Sequence, residues 1–376
     1  MTVDLRRAAT PLLALPILLT ACSGDDRRAV TADDIDRIER TLVNGSELAW
    51  ELTQAEARVA QACMEDLGFT VHHPTRLHGR SIPHRFEGFS SPYTRIPLRE
   101  HAEQWGFGVW MLTDPEMAAE IRENPEYLEA AASEQTWRDP ASFEARERFD
   151  KSDEEYRREW LEAFAGPEKI AYEQEMNAAH EAGEDIAELD LEEPPYGGCE
   201  LTTIEIVYGG PEHHEADDGR TWWSKPSLES PLTWVGDGEL YPELSAQYID
   251  QERGSLDCVA ERGHGEWAFD DFGGLPVDQY LWQLYPDSPA VQPPAENLPE
   301  PPPDAPEDPA GAKEYEFAMA LDFAECARSA GLRDGSEEAW ARMYVERLID
   351  RETEVYAWEQ EIEEYLGNAQ EYIAER

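Results

Sequence analysis

The chain has 376 residues, 41% of them hydrophobic, and 82 Asp plus Glu against 31 Lys plus Arg give it a formal net charge of −51. That length holds one large domain or two ordinary ones around a real core. The charge excludes nucleic acid and anionic lipid headgroups as partner surfaces, since both would be repelled. Acidic residues are spread along the whole chain, so a solvated acidic face accounts for them more simply than a dedicated cation-binding surface.

The first stretch, "MTVDLRRAATPLLALPILLTAC", places Arg6 and Arg7 before an apolar run from Ala8 to Leu19. The run is too short to span a bilayer comfortably as a permanent helix. Its ending, Leu19-Thr20-Ala21-Cys22, resembles a bacterial lipobox. The resemblance implies diacylglyceryl transfer to the Cys22 sulfur, cleavage before it, and a signal peptide over residues 1–21. Residues 22–34 read as a polar tether. No second apolar run of spanning length follows, so the expected location is the outer face of the bacterial cytoplasmic membrane, held there by lipid.

Residues 35–285 read as a mainly helical body. A first helix is capped near Thr31 and is expected to stop at Asn44-Gly45; a second, over "TQAEARVAQACMEDLGF", carries Cys63 and ends at Gly68. Residues 70–110, rich in Pro, Gly, aromatic and His residues, read as loops with one or two short strands. A helix capped by Asp114 with Pro115 at its first position opens an acidic helical region. That region is broken at Pro140 and at Gly166-Pro167 and runs to about Leu191. Cys199 begins a short segment bounded by glycine pairs, residues 209–240 read as loop, and a helix interrupted at Gly254 carries Cys258.

Residues 286–311 hold a proline-rich acidic run that reads as an extended loop or linker. A C-terminal helical pair, 312–376, follows and is expected to pack on the body. Ser336 is expected to cap its last helix. There Ala341, Tyr344, Leu348, Arg351, Val355, Trp358, Ile362, Tyr365, Ala369 and Tyr372 alternate steps of three and four, with Arg351 as the polar interruption. Such a stripe fits a helix lying back along the acidic helices of the same chain better than a free dimerising rod.

Four cysteines remain after Cys22, an even number in an exported chain, so two disulfides are expected. Of the three connectivities, Cys63–Cys199 with Cys258–Cys326 is the expected one; the second bridge would close the proline-rich segment between its flanking helices. Four of the nine histidines lie at 72, 73, 78 and 84, and "EHHEADD" adds His213 and His214 beside Glu212, Glu215, Asp217 and Asp218. His72, His73, His213 and His214 are therefore candidate ligands for zinc or another divalent ion, although neither cluster has the H-E-x-x-H spacing. Trp222-Trp223, Trp105 and Trp110 could stack on sugar rings. There is no G-x-S-x-G, Walker or G-x-G-x-x-G motif, and no catalytic residue or cofactor is assigned.

The lipobox, the C-M-x3-G-F helix end, "WGFG", "GGC", two further C-x4-G helices and a long C-terminal helix together resemble a family of actinobacterial secreted lipoproteins. The resemblance covers most of the mature chain. It implies a mainly α, disulfide-stapled, membrane-anchored body and carries no activity with it. The expected function is non-enzymatic binding of a partner protein or cell-envelope component. The alternatives are a solute-binding lipoprotein of a transporter and a carboxylate- or metal-dependent cell-wall hydrolase.

Overall fold

The computed structural model describes residues 29–77, 85–112, 140–183, 191–216, 219–285, 298–302, 305–306 and 308–376. Cys22, His78, His84, Asp114, Pro115, Asp217, Asp218 and much of the proline-rich segment lie outside them. The described residues are mainly helical, with one two-stranded hairpin.

Helix α1, Ala32–Asp66, begins where the sequence places its cap: Thr31 accepts from the Asp34 amide, and the Asp34 carboxylate accepts back from the Thr31 amide. The last three residues assigned to the tether, 32–34, therefore belong to the helix. The expected stop at Asn44-Gly45 is absent, because α1 runs unbroken for 35 residues. Gly45 serves packing instead: a Cβ there would lie 2.8 Å from Cε3 of Trp358 and closer still to two other ring carbons. The glycine lets the indole rest on the α1 backbone.

Trp358 belongs to the last helical stretch, formed by α10 (Ser336–Leu348), a 3-10 turn (Ile349–Arg351) and α11 (Glu352–Ala374). Val355, Trp358, Ile362, Leu366 and Ala369 are its buried stripe in α11. The stripe packs on α1 with the two helices running parallel, and not on the acidic helices. Arg37 pairs with Glu352 at 2.6 Å near one end, and Arg376 pairs with Asp66 at the other. Arg351, the expected interruption, sits at the 3-10 turn with its guanidinium 3.7 Å from the Trp234 ring centroid. Ser336 is not the cap. Gly335, at φ 71°, holds that position, and the buried Ser336 hydroxyl faces that of Ser91 at 2.9 Å.

Between these elements the chain forms α2 (Arg99–Trp105), α3 (Pro140–Asp150), α4 (Glu154–Ala165), α5 (Pro167–Ala182), α6 (Gly198–Tyr208), α7 (Asp237–Glu261), α8 (Val277–Trp282) and α9 (Pro309–Ala330). The described part of 70–110 contains short helical and 3-10 turns where strands were expected. The hairpin lies at β1 (Glu212–Glu215) and β2 (Thr221–Ser224), within a stretch that reads as loop, and "GGC" opens helix α6.

One hydrophobic cluster runs from Ile38 of α1 through Leu240, Leu244, Phe323 and Tyr344 to Ala369, so the C-terminal helices share a core with the body. A smaller cluster gathers Ala60, Met64, Phe149, Trp160, Phe164 and Cys199. Two disulfides fasten these parts: Cys63–Cys199, with Cα atoms 5.7 Å apart, ties α1 to α6, and Cys258–Cys326, at 5.6 Å, ties α7 to α9. Bridges of this kind belong to an oxidising, extracytoplasmic compartment. Gly198, at φ 55°, allows α6 to approach the end of α4; a Cβ there would meet the Phe164 carbonyl oxygen at 2.7 Å and that of Ala163 more closely.

Candidate functional site

Three places concentrate chemistry. The first is the hairpin, whose register sets His213 against Trp223 and His214 against Trp222. Cross-strand neighbours share a face and successive residues alternate, so one imidazole–indole pair lies on each side of the ribbon. His214 and Trp222 stack with centroids 5.1 Å apart, and Trp222 stays 41% exposed. His214 Nε2 lies 2.8 Å from the Ser224 hydroxyl and 3.6 Å from the Glu212 carboxylate. Beyond β2, Lys225 reaches Glu56 of α1 at 2.8 Å, and the same carboxylate accepts from the Tyr208 hydroxyl at 2.6 Å. Lys225 thereby ties the base of the ribbon to the helical body, and Trp222 on β2 is exposed to solvent.

The second is a groove of about 500 Å³ between α1 and α11, lined by Glu47, Trp50, Glu51 and Arg58 on one wall and by Leu366 and Gln370 on the other. Helical steps of three and four bring the α1 residues to one side. Glu47 is paired with Arg85.

The third surrounds the Cys63–Cys199 bridge. His72 Nδ1 accepts from the Trp160 indole at 3.4 Å, and His73 Nδ1 from the Arg76 amide at 3.2 Å. Both rings pack against Trp160, and His73 also against Phe149. Burial holds both imidazoles below their ordinary titration range. Arg76 pairs with Glu173, Lys169 with Glu193, and burial raises Glu200 between them.

The four histidines proposed as metal ligands thus serve separate aromatic contacts in two parts of the molecule. His72 and His73 line the smaller core; His213 and His214 decorate the ribbon. Among the described residues no three His, Cys, Asp or Glu side chains gather as a metal would require. Of the tryptophans proposed as a sugar platform, Trp222 is exposed, whereas Trp110 is buried with the Lys313 ammonium 3.5 Å over its ring.

Two buried carboxylates escaped the sequence reading. Glu252 of α7 accepts from the Tyr93, Tyr241 and Ser245 hydroxyls at 2.6, 3.0 and 2.8 Å, and both phenols are held protonated by burial and by this carboxylate. Glu316 of α9 has no exposed surface. It accepts from the amides of Phe107, Val109 and Trp110 at 3.1, 2.9 and 2.9 Å and from the Tyr285 hydroxyl at 3.0 Å. Burial dominates and raises its titration to about 7. The signal was present: Glu316 falls on the same helical stripe as Ala312, Met319, Ala320 and Phe323.

No family model, curated protein or solved structure matches the chain.

Proposed function

We propose that this chain is a lipid-anchored lipoprotein of the bacterial envelope that binds a partner protein or cell-envelope component and catalyses no reaction. The observation that carries the reading is the combination of a disulfide-fastened helical body with the sequence Leu19-Thr20-Ala21-Cys22 ahead of it. Acyl chains on Cys22 would hold the body at the outer face of the cytoplasmic membrane, each buried methylene contributing about 0.8 kcal/mol. The ribbon, with Trp222 41% exposed and stacked on His214, is the surface at which this reading is tested. The resemblance to actinobacterial secreted lipoproteins points the same way.

The test is metabolic labelling with a palmitate analogue, followed by fractionation. The wild type is expected to carry label and to sediment with membranes, and Cys22→Ser to lose the label. An unlabelled wild type refutes the anchor. Cross-linking from intact membranes then tests binding: a product lost on Trp222→Ala supports the ribbon as the contact, and recovery of the free lipoprotein alone counts against it. A second reading, a solute-binding lipoprotein, would have to use the open and mostly polar groove between α1 and α11. Under that reading a small ligand protects Trp50 from fluorescence quenching.

A further inference from the structure

We propose that Glu316 is a proton-operated latch on the 106–110 turn. The turn leaves α2 at Gly106 and reaches the 3-10 segment Val109–Leu112 with its amide groups directed at α9. Oε1 of Glu316 accepts from Phe107 and Val109, and Oε2 accepts from Trp110 and Tyr285. A carboxylate has about four lone-pair sites, so the ionised group is saturated. Gly106, at φ 65°, permits the approach: a Cβ there would stand 3.0 Å from Phe317 and 3.3 Å from Glu316 Oε1.

A saturated carboxylate cannot gain a proton without losing a donor. Three of the donors are backbone amides, fixed by the turn. The fourth, the Tyr285 hydroxyl, rotates. When a solvent proton bonds to Oε2, the Tyr285 O–H···Oε2 hydrogen bond breaks and is replaced by Oε2–H···Oη, with the phenol hydrogen turning away. The tyrosine stays neutral, and the added proton stays on Glu316. The three amide bonds then end on a neutral acid instead of an anion, and charge-assisted hydrogen bonds are roughly twice as strong as neutral ones. The turn is held firmly above the titration and loosely below it.

The charged and titratable groups around Glu316 are engaged elsewhere: at the end of α7 Arg262 pairs with Asp322 of α9, and the buried His264, whose ring packs on Tyr315 and Phe323, bonds the same carboxylate at 2.8 Å. Lys313, one turn earlier on α9, places its ammonium over the Trp110 ring. The Tyr280 and Tyr315 hydroxyls bond each other at 3.0 Å. On α2, which also packs against α9, Arg99 is paired with Glu103 and Glu325. The turn itself contributes backbone amides. Burial of the carboxyl opposes these donors and moves its titration to about 7, within the pH range that an extracytoplasmic protein meets.

The experiment is NMR on the oxidised body, following the Glu316 side-chain carboxyl carbon and the exchange of the Phe107, Val109 and Trp110 amides from pH 5 to 9. The carboxyl carbon is expected to titrate near neutral pH. After correction for intrinsic exchange, protection of the three amides is expected to fall on the order of tenfold below the midpoint. Tyr285→Phe removes one donor to the anion and is expected to raise that midpoint, a shift that a merely structural tyrosine would not produce. Glu316→Gln is expected to abolish the transition in the amides. A carboxyl carbon that does not titrate in this range, or amide protection equal at pH 5.5 and 8.5, overturns the latch.

Discussion

Replacing Gly45 by Ala should destabilise this protein even though alanine is the better helix former. In the middle of an exposed helix the exchange favours folding by about 0.8–1.0 kcal/mol. In α1 the new methyl carbon would fall within 2.8 Å of three ring carbons of Trp358, against an ordinary separation of about 3.5–4.0 Å. The indole is buried between α1 and α11, so it cannot move without displacing the core, and overpacking of this kind costs about 1–3 kcal/mol. The net expectation is a loss of up to about 2 kcal/mol. The sign should reverse when the ring is absent. Trp358→Ala alone should cost about 3–5 kcal/mol, and adding Gly45→Ala in that background should recover the propensity gain of about 0.8–1.0 kcal/mol. The assay is urea unfolding of the oxidised body, followed by far-ultraviolet circular dichroism, for the two single variants and the double variant. A coupling energy of about 1–3 kcal/mol is expected. Gly45→Ala that stabilises the wild type by its full propensity gain, or effects that add within about 0.5 kcal/mol, would refute the packing argument.

Gly198 and Gly68 both have positive φ, yet a Cβ meets backbone carbonyls at the first and open space at the second. Gly198→Ala should therefore lower the melting temperature markedly more than Gly68→Ala, which carries only the conformational strain of about 1 kcal/mol. Replacing Cys258 and Cys326 by Ser opens a 68-residue loop, and replacing Cys63 and Cys199 opens one of 136. The loop-entropy relation gives about 4 and about 5 kcal/mol for these two bridges, readable as denaturant-midpoint shifts of each double variant. His72 and His73 titrate below their ordinary range in the folded protein, so the unfolded chain binds more protons as pH falls through about 6.5. Their contribution to stability is present above that pH and is lost on acidification, and imidazole proton resonances should show midpoints below 6.5 for both.

Periodicity and cysteine parity made much of the fold legible. Apolar steps of three and four mark α1, α9 and the last helix, and an even cysteine count in an exported chain points to two bridges. Local signals failed where tertiary contacts overrode them. Asn44-Gly45 reads as a helix stop because glycine usually ends helices, but here its missing side chain makes room for a ring more than 300 residues away. Residues 212–224 read as loop because the strands are four residues long and their stabilising pairs, His213 with Trp223 and His214 with Trp222, form only after the chain turns. The histidine clusters suggested a metal because proximity in sequence was read as convergence in space. Glu316 was overlooked for the opposite reason: one acidic residue among 82 carries no contrast until its position on an apolar stripe is noticed.

The parallel register of α1 and α11 also sets how the body would bear force. Arg37 meets Glu352, Gly45 meets Trp358, and Asp66 meets Arg376, so the seam follows nearly the whole of α1, about 52 Å at 1.5 Å per residue. Tension applied at the Thr31 end along the axis of α1 would run parallel to the seam. Such a pull loads the interlocked side chains together in shear, whereas tension across the seam would peel them apart one turn at a time. At the far end, Cys63–Cys199 passes the load covalently from α1 into α6. Under the proposed anchoring, a tether entering at Thr31 would pull on the end of the seam that Arg37 and Glu352 close.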